Sequence, residues 1–434
     1  MLAYPDTLPI TPKPPVNAEV RVPGSKSLTN RALVVAALAR GVSVLEGCLV
    51  AEDSLVMLAA LGELGLEVER TGTTVTVHGQ GGRIPAEAAQ LDLRLSGTSI
   101  RFLTALVSLG QGRFMLDGNE RMRERPIQDL LSALSALGGD AQTQFETGCP
   151  PVVVAASGLG GGTAAVAGNS SSQYLSALLM AAPYARTPVT LTVSGELQSK
   201  PFIDMTLKLM ADFGVVVERD GYARFFVPTG VYTARPYSVE GDAMAAGYLW
   251  AAAAITGGRV RVENVGSASV QGDRRFADVL VQMGCAVTWT DASCEVVAPA
   301  DGLRGGTFDL NDMSDQAQTL AVVALFADRP TRIENIWNLR IKETDRLGAL
   351  HAELSKLGAQ VEEGHDFLVV HPLGARPAEI DTQAHTETYI ETYGDHRMAM
   401  AFALAGLRLP GVVIRDPACV GKTFPDFFEV LASL

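Results

Sequence analysis

Long runs of small and apolar residues with almost no polar face alternate along this chain with shorter, charged, amphipathic runs. The stretch 243–256 contains four consecutive alanines and has no side suited to water, which predicts a helix buried at the centre of a domain. The same design recurs. A glycine-rich or polar turn leads into a small-residue helix, then a glycine, then a β-branched run at 24–45, 97–116, 168–193, 241–262, 311–333 and 394–414. Each copy is followed by a segment opening on acidic, basic or proline residues: Glu52-Asp53-Ser54, Glu124-Arg125-Pro126, Lys200-Pro201, Gly272-Asp273-Arg274, Lys342-Glu343-Thr344-Asp345-Arg346 and Lys422-Thr423-Phe424-Pro425. Most of these continue as amphipathic helices, such as 127–137 and 346–357, ending in Leu-Gly or Met-Gly before a valine-rich strand. The glycines suit helix C-caps. Strands at 75–78, 259–263 and 367–371 alternate, as sheets with one solvated face require.

Six copies in order, spaced by about 70–80 residues, indicate true internal repetition in an α/β protein. Each copy is too large for a solenoid repeat, which favours a closed or pseudosymmetric arrangement. The 434 residues exceed the size at which a single core usually keeps growing. The turn-rich stretch 229–238 leaves three copies on each side, so two similar domains are expected, 23–239 and 240–434. Residues 1–15, with five prolines, read as an extended lead-in; 17–22 suits a short strand, and 8–10 is too short to assign.

The composition is 47% hydrophobic and 19% charged, with a formal charge of −13, which describes a well-packed protein and not a disordered one. A net negative chain argues against nucleic acid as a partner. No run reaches 18 apolar residues and the first residues lack the apolar core of a signal peptide, so neither membrane span nor export is expected. The five scattered cysteines, odd in number and without a CxxC, fit a reducing, cytoplasmic setting. No zinc-ligand cluster stands out among the six histidines. Without an obvious exposed apolar face, a monomer is expected.

The cations gather in the turns. Pro23-Gly24-Ser25-Lys26-Ser27-Leu28-Thr29-Asn30-Arg31 joins a tight turn, hydroxyls and two cations to a helix start, where free backbone N–H groups already attract anions. If the buried helices converge at their polar ends, they line a cleft with Lys26, Ser27, Arg31, Ser96-Gly97-Thr98, Ser171-Ser172-Gln173, Asp315 and His396-Arg397. The charged starts of the second helices would add Arg121, Lys342, Glu343, Arg346 and Lys422. So many cations imply more than one phosphate or carboxylate to hold. Asp315 and Glu343 are then candidate proton carriers and His396 a candidate support. Taken alone, Asp315 reads equally as an N-cap to 317–327, and His396 as a turn residue.

In these stretches the chain resembles the 5-enolpyruvylshikimate-3-phosphate synthases (3-phosphoshikimate 1-carboxyvinyltransferases), members of the enolpyruvyl transferases. The matching segments are 23–31 (PGSKSLTNR), 121–126 (RMRERP), 171–173, 271–278 (QGDRRFAD), 342–346 (KETDR), 395–400 (DHRMAM) and 422–425 (KTFP), in family order over essentially the full length. The resemblance implies two domains of three βαβαββ repeats each, an inside-out α/β fold with buried central helices and an interdomain active-site cleft. The segment 1–22 would join the domain built from 240–434. The implied reaction moves the enolpyruvyl group of phosphoenolpyruvate to the 5-hydroxyl of shikimate 3-phosphate and releases phosphate, in the shikimate pathway toward chorismate.

By motif, Lys26, Ser27, Arg31, Ser171, Ser172, Gln173, Ser199, Asp315, Asn338 and Lys342 would hold shikimate 3-phosphate. Lys26, Gly97, Arg121, Gln173, Arg346, Arg397 and Lys422 would hold phosphoenolpyruvate. Asp315, Glu343, Lys26 and His396 would form the catalytic set. Gly97 matches the glycine where glyphosate mimics phosphoenolpyruvate. Three positions depart from the family pattern: Leu95 where asparagine is common, Phe102 for a proline, and Phe202 for a tyrosine beside the sugar-like ring. The sister enzymes acting on UDP-N-acetylglucosamine have Lys-Asn after the first turn and a cysteine on a mobile loop; here the turn reads Lys26-Ser27, and 116–125 holds no cysteine. A non-catalytic anion binder with this architecture would have no need of Asp315 and Glu343.

Overall fold

The computed structural model describes residues 4–168, 171–374 and 387–434. Asn169 and Ser170 of the third polar turn, and the first three residues of the lead-in, lie outside the described residues. The chain divides into two compact units, Met1–Pro23 with Gly241–Leu434, and Gly24–Glu240.

In Gly24–Glu240 each copy builds a four-stranded sheet. The strands Ala88–Asp92, Gln111–Asp117, Val152–Ser157 and Ala141–Thr143 lie in that order; the first two are parallel and the rest antiparallel. The third copy repeats this with Gly162–Ala167, Val189–Ser194, Arg224–Val227 and Glu218–Asp220. In the first copy the leading strand is supplied by the far end of the unit. Tyr237–Ser238 pairs parallel to Arg40–Glu46, with Tyr237 opposite Leu45.

The other unit closes in a similar way, but from the N-terminus. Asn17–Val20 runs parallel to Arg259–Val262 and stands as the first strand of the fourth copy. The fifth sheet is complete within its own stretch of chain. The sixth copy has no closing hairpin, because the chain runs on into the helix Phe427–Ser433. Its sheet orders Thr388–Ile390, Val412–Arg415 and Thr7–Pro9, with Leu8 opposite Ile414. A free edge would invite pairing with another chain, and Thr7–Pro9 covers it. The lead-in is therefore part of the sheet: the stretch that seemed too short to assign makes a strand once a neighbouring edge is present.

The inner helices are enclosed. Every residue of Gly97–Val107, Ala243–Thr256, Ala317–Ala324 and His396–Gly406 is buried, as is Lys26–Leu38 from Leu28 onward. Alanine and glycine let these helices approach one another closely while the sheets cover them. Ala243–Thr256 starts on Asp242, whose carboxylate accepts from the Met244 and Ala245 N–H groups at 2.8 and 3.2 Å. It stops at Gly257, which takes φ +82°. The second helices, such as Gln128–Ala136 and Arg346–Lys356, keep an exposed face. Among the described residues no helix is long and apolar enough to cross a membrane.

Candidate active site

Within Gly24–Glu240 a chain of contacts joins three inner-helix N-termini. Lys26 Nζ lies 3.4 Å from a carboxylate oxygen of the buried Asp53. Ser99, in the first turn of the second inner helix, donates to the Asp53 carbonyl at 3.5 Å. Gln173, in the first turn of the third, donates to Thr98 at 3.5 Å. Ser25 and Ser171 cap two of these helices through their hydroxyls, and none of the three has an acidic residue in its first turn. Their positive ends are therefore not neutralised by acids of their own, as an anion site requires.

Arg31 is fully buried and ties three helices together. It donates from Nε to Thr206 at 2.7 Å, from Nη1 to the Ser27 carbonyl at 2.9 Å, and from Nη2 to Ser176 at 3.2 Å and the Phe202 carbonyl at 3.3 Å. Burial draws its guanidinium down to about 9. The rings of Phe102 and Phe202 stand 5.2 and 5.8 Å from the guanidinium carbon. Two of the three departures from the family pattern thus meet on one cation, where aromatic faces contribute attraction.

A side chain at Gly97 would have to push two arginine side chains aside. A Cβ there would lie 2.6 Å from Arg101 Nη1 and 2.7 Å from Arg125 Nη1. Arg101 itself donates to the Gly97 carbonyl at 2.8 Å and to the Pro126 carbonyl at 3.0 Å. Arg121, on the turn before Met122–Glu124, is partly exposed and pairs with Glu124 at 2.7 Å. Ser172 and Ser199 are buried, and Ser199 sits at φ +55°, a strained conformation for a non-glycine residue. Glu67, Glu69 and His78 bring donor atoms within 4.8 Å of one another on the exposed hairpin of this unit, with His78 3.8 Å from Glu67. They belong to no part of the constellation above.

In the other unit the charges form a lattice around Arg346, whose side chain is 1% exposed. Its Nε donates to Asp395 Oδ2 at 2.7 Å, Nη1 to Asp315 Oδ1 at 3.0 Å, and Nη2 to Glu343 Oε2 at 2.9 Å and Asp395 Oδ1 at 3.2 Å. Arg397 Nη2 holds the second Asp315 oxygen at 2.8 Å, and Lys342 Nζ lies 3.6 Å from the first. Lys422 Nζ holds Glu343 Oε1 at 2.7 Å. Burial alone would draw the Arg346 guanidinium down, but the carboxylates of Asp395, Glu343 and Asp315 hold it above its ordinary value. Asp395 also caps His396–Gly406 by accepting from the Arg397 N–H at 2.9 Å, so one carboxylate fixes both the helix start and the central arginine.

Two of the simpler readings give way here. Asp315 does not cap the following helix: it lies inside the 3-10 segment Asn311–Gln316, and Ala317–Ala324 starts from Gln316. His396 is no turn residue but the fully buried first residue of its helix, with Nδ1 3.5 Å from Asp395 Oδ1. Lys342 and Glu343 lie between the 3-10 turn Trp337–Ile341, which carries the half-buried Asn338, and the helix Arg346–Lys356.

Sequence reasoning assigned no role to Arg340, Asp53, Asp273 or Asp395. Arg340 fastens the loop by donating to the His365 and Gly364 carbonyls and to the carboxylates of Asp345 and Glu363. A capping aspartate before 396–406 was readable at Asp395. Asp273 stands in the matching segment 271–278, whereas for Arg340 and Asp53 no signal in one sequence separates them from surface charges.

Paired three-repeat α/β units, each gathering charged groups at inner-helix N-termini, define an enolpyruvyl transferase. The chain belongs to the family described as EPSP synthase (3-phosphoshikimate 1-carboxyvinyltransferase), whose model matches residues 10–431. It is 48% identical over 417 residues to the 3-phosphoshikimate 1-carboxyvinyltransferase of Nostoc punctiforme, covering 95% of each chain. With the enzyme of that name from Aeromonas salmonicida it shares 47% identity over 435 residues, 99% of each chain. A solved EPSP synthase from Acinetobacter baumannii superposes with a TM-score of 0.81 at 26% identity, covering 98% of each chain.

Proposed function

We propose that this chain transfers the enolpyruvyl group of phosphoenolpyruvate to the 5-hydroxyl of shikimate 3-phosphate and releases inorganic phosphate. The single observation that carries the chemistry is the grip of Arg346 on Asp315 and Glu343, with Arg397 and Lys422 on their remaining oxygens. Two carboxylates held by fixed cations can exchange protons without moving, and the same cations can meet the carboxylate and phosphate of an anionic substrate.

In this reading the 5-hydroxyl oxygen adds to C2 of phosphoenolpyruvate and its proton passes to Asp315. C3 takes a proton and a tetrahedral intermediate forms. Loss of a proton from C3 with cleavage of the C2–O bond to phosphate then gives product and phosphate. Glu343 carries the C3 proton, with Lys26 the second candidate, and His396 supports the cluster by hydrogen bonding. Arg121, Arg346, Arg397, Lys422, Lys26, Gln173 and the backbone at Gly97 bind phosphoenolpyruvate. Lys26, Ser27, Arg31, Ser171, Ser172, Gln173, Ser199, Asn338, Lys342 and Asp315 bind shikimate 3-phosphate. No step calls for a metal or organic cofactor, because each proton has a side chain to receive it.

We place the protein in the cytoplasm as a monomer. Its cysteines are unpaired thiols, which suits a reducing setting.

The assay is phosphate release with both substrates together and with each alone. Release only with both is the expected result; tight binding of both without release removes the assignment. Gly97→Ala tests the phosphoenolpyruvate half. The methyl group must displace Arg101 or Arg125, so KM for phosphoenolpyruvate should rise about tenfold or more, and glyphosate should inhibit less. An unchanged KM would show that this corner does not meet the substrate.

A further inference from the structure

Asp273 lies on the 3-10 turn Gly272–Arg275, within a matching segment to which no role attaches. Its side chain is buried, and Oδ1 has no hydrogen-bond partner among the described residues. Two neighbours fix the turn. Gln271 donates to the Gly241 carbonyl at 2.7 Å and accepts from the Ala243 N–H at 3.1 Å, seating it on the start of the central helix. Arg275 donates to Asp312 at 2.9 Å, seating it against the segment that carries Asp315. The charges of Asp315 on that segment, Arg397 on the helix His396–Gly406 and Asp242 at the cap of Ala243–Thr256 act on Asp273.

A buried carboxyl beside two carboxylates and one guanidinium is most stable as the neutral acid when the guanidinium is already engaged. Arg397 is engaged, at 2.8 Å from Asp315. We infer that Asp273 holds a proton for Asp315, as a buried positioning residue whose ionisation controls how fully Arg397 is available to an anionic substrate. This rests on the reading of Arg397 as a phosphoenolpyruvate ligand. Burial first, and the Asp315 charge second, push the Asp273 carboxyl up to about 7 against the pull of Arg397, inside the range where the protein would work. Protonated, Asp273 leaves Arg397 to Asp315 and the substrate. Ionised, it competes for that guanidinium and adds negative charge where an anion must bind.

Asp273→Asn keeps the shape and removes the ionisation. Two measurements on it separate this inference from the reading beneath it. The first is stability against pH. The native state binds more protons than the unfolded chain between the ordinary aspartate value, 3.8, and about 7, so the wild type loses stability as pH rises through that window. The variant lacks that loss, and its Tm advantage should grow between pH 5 and pH 8. A constant Tm difference overturns the inference, whatever the enzyme's substrates. The second is KM for phosphoenolpyruvate, taken as the ratio of wild type to variant so that the substrate's own ionisation cancels. That ratio should rise several-fold from pH 6 to pH 8; a flat ratio overturns the link to substrate binding. Absence of turnover in both proteins would count against the functional reading alone, with proton holding still decided by the Tm series. Should the variant fail to fold, carboxyl-carbon NMR of the wild type decides. A buried aspartate titrating near neutrality is expected, and its absence overturns the inference.

Discussion

Asp315→Ala should lower kcat by about 10³-fold, toward the upper part of what a positioned acid or base contributes, with only a modest rise in KM for shikimate 3-phosphate. The fold should survive. Arg346 keeps both bonds to Asp395 and one to Glu343, while the buried Arg397 loses its carboxylate, so some stability should go with the activity. The split between kcat and KM is the diagnostic quantity. A group that merely neutralises Arg397 and Lys342 would show itself in binding, whereas one that receives the hydroxyl proton acts on the chemical step. Steady-state kinetics over both substrates decides it, and an unchanged kcat would remove Asp315 from the role assigned to it. Asp315→Asn should behave similarly, because it keeps hydrogen-bonding capacity but cannot take up the proton.

Arg346→Met should be the most damaging change to stability, at about 3–5 kcal/mol, because it strips the partner from buried carboxylates without removing them. Asp395 is completely buried, and Glu343 is only 9% exposed at its side chain. With methionine in place, Asp395 keeps its bond to the Arg397 N–H and Glu343 keeps Lys422, yet the planar fork that joined three carboxylates is gone. Arg346→Lys should recover only part of the loss, since a point charge cannot reproduce four bonds made from three nitrogens. Urea unfolding of the three proteins measures the order. A cost below about 1 kcal/mol for the methionine variant would mean that the lattice is held by its other members.

The two changes act on neighbouring atoms through different physics. Asp315 can be removed with Arg346 still held by Asp395 and Glu343, while Arg346 is replaceable in neither fold nor site. That difference is a property of connectivity. In the sequence, Lys342-Glu343-Thr344-Asp345-Arg346 reads as a charged helix start of ordinary kind. The family motif marks Arg346 as a candidate ligand, but nothing in it shows Arg346 to be buried and shared by three carboxylates while Arg340, six residues away, is partly exposed and fastens the loop.

Periodicity determined the buried helices, because a helix such as 243–256 with no polar face has nowhere to go but inside. Turn chemistry determined where each ends and which cations stand at its start. The short motifs carried the family, since the residue types that bind phosphate and carboxylate must recur in the same turns. Tertiary structure alone decided the rest. It made Thr7–Pro9 a strand by offering it an edge. It placed Phe102 and Phe202 on Arg31, and it turned Asp273 from one acid among many into a buried carboxyl with one unpartnered oxygen among the described residues. Each of these depends on what a residue touches across tens to hundreds of positions of chain, and burial and charge pairing are set by those distant contacts, not by local pattern.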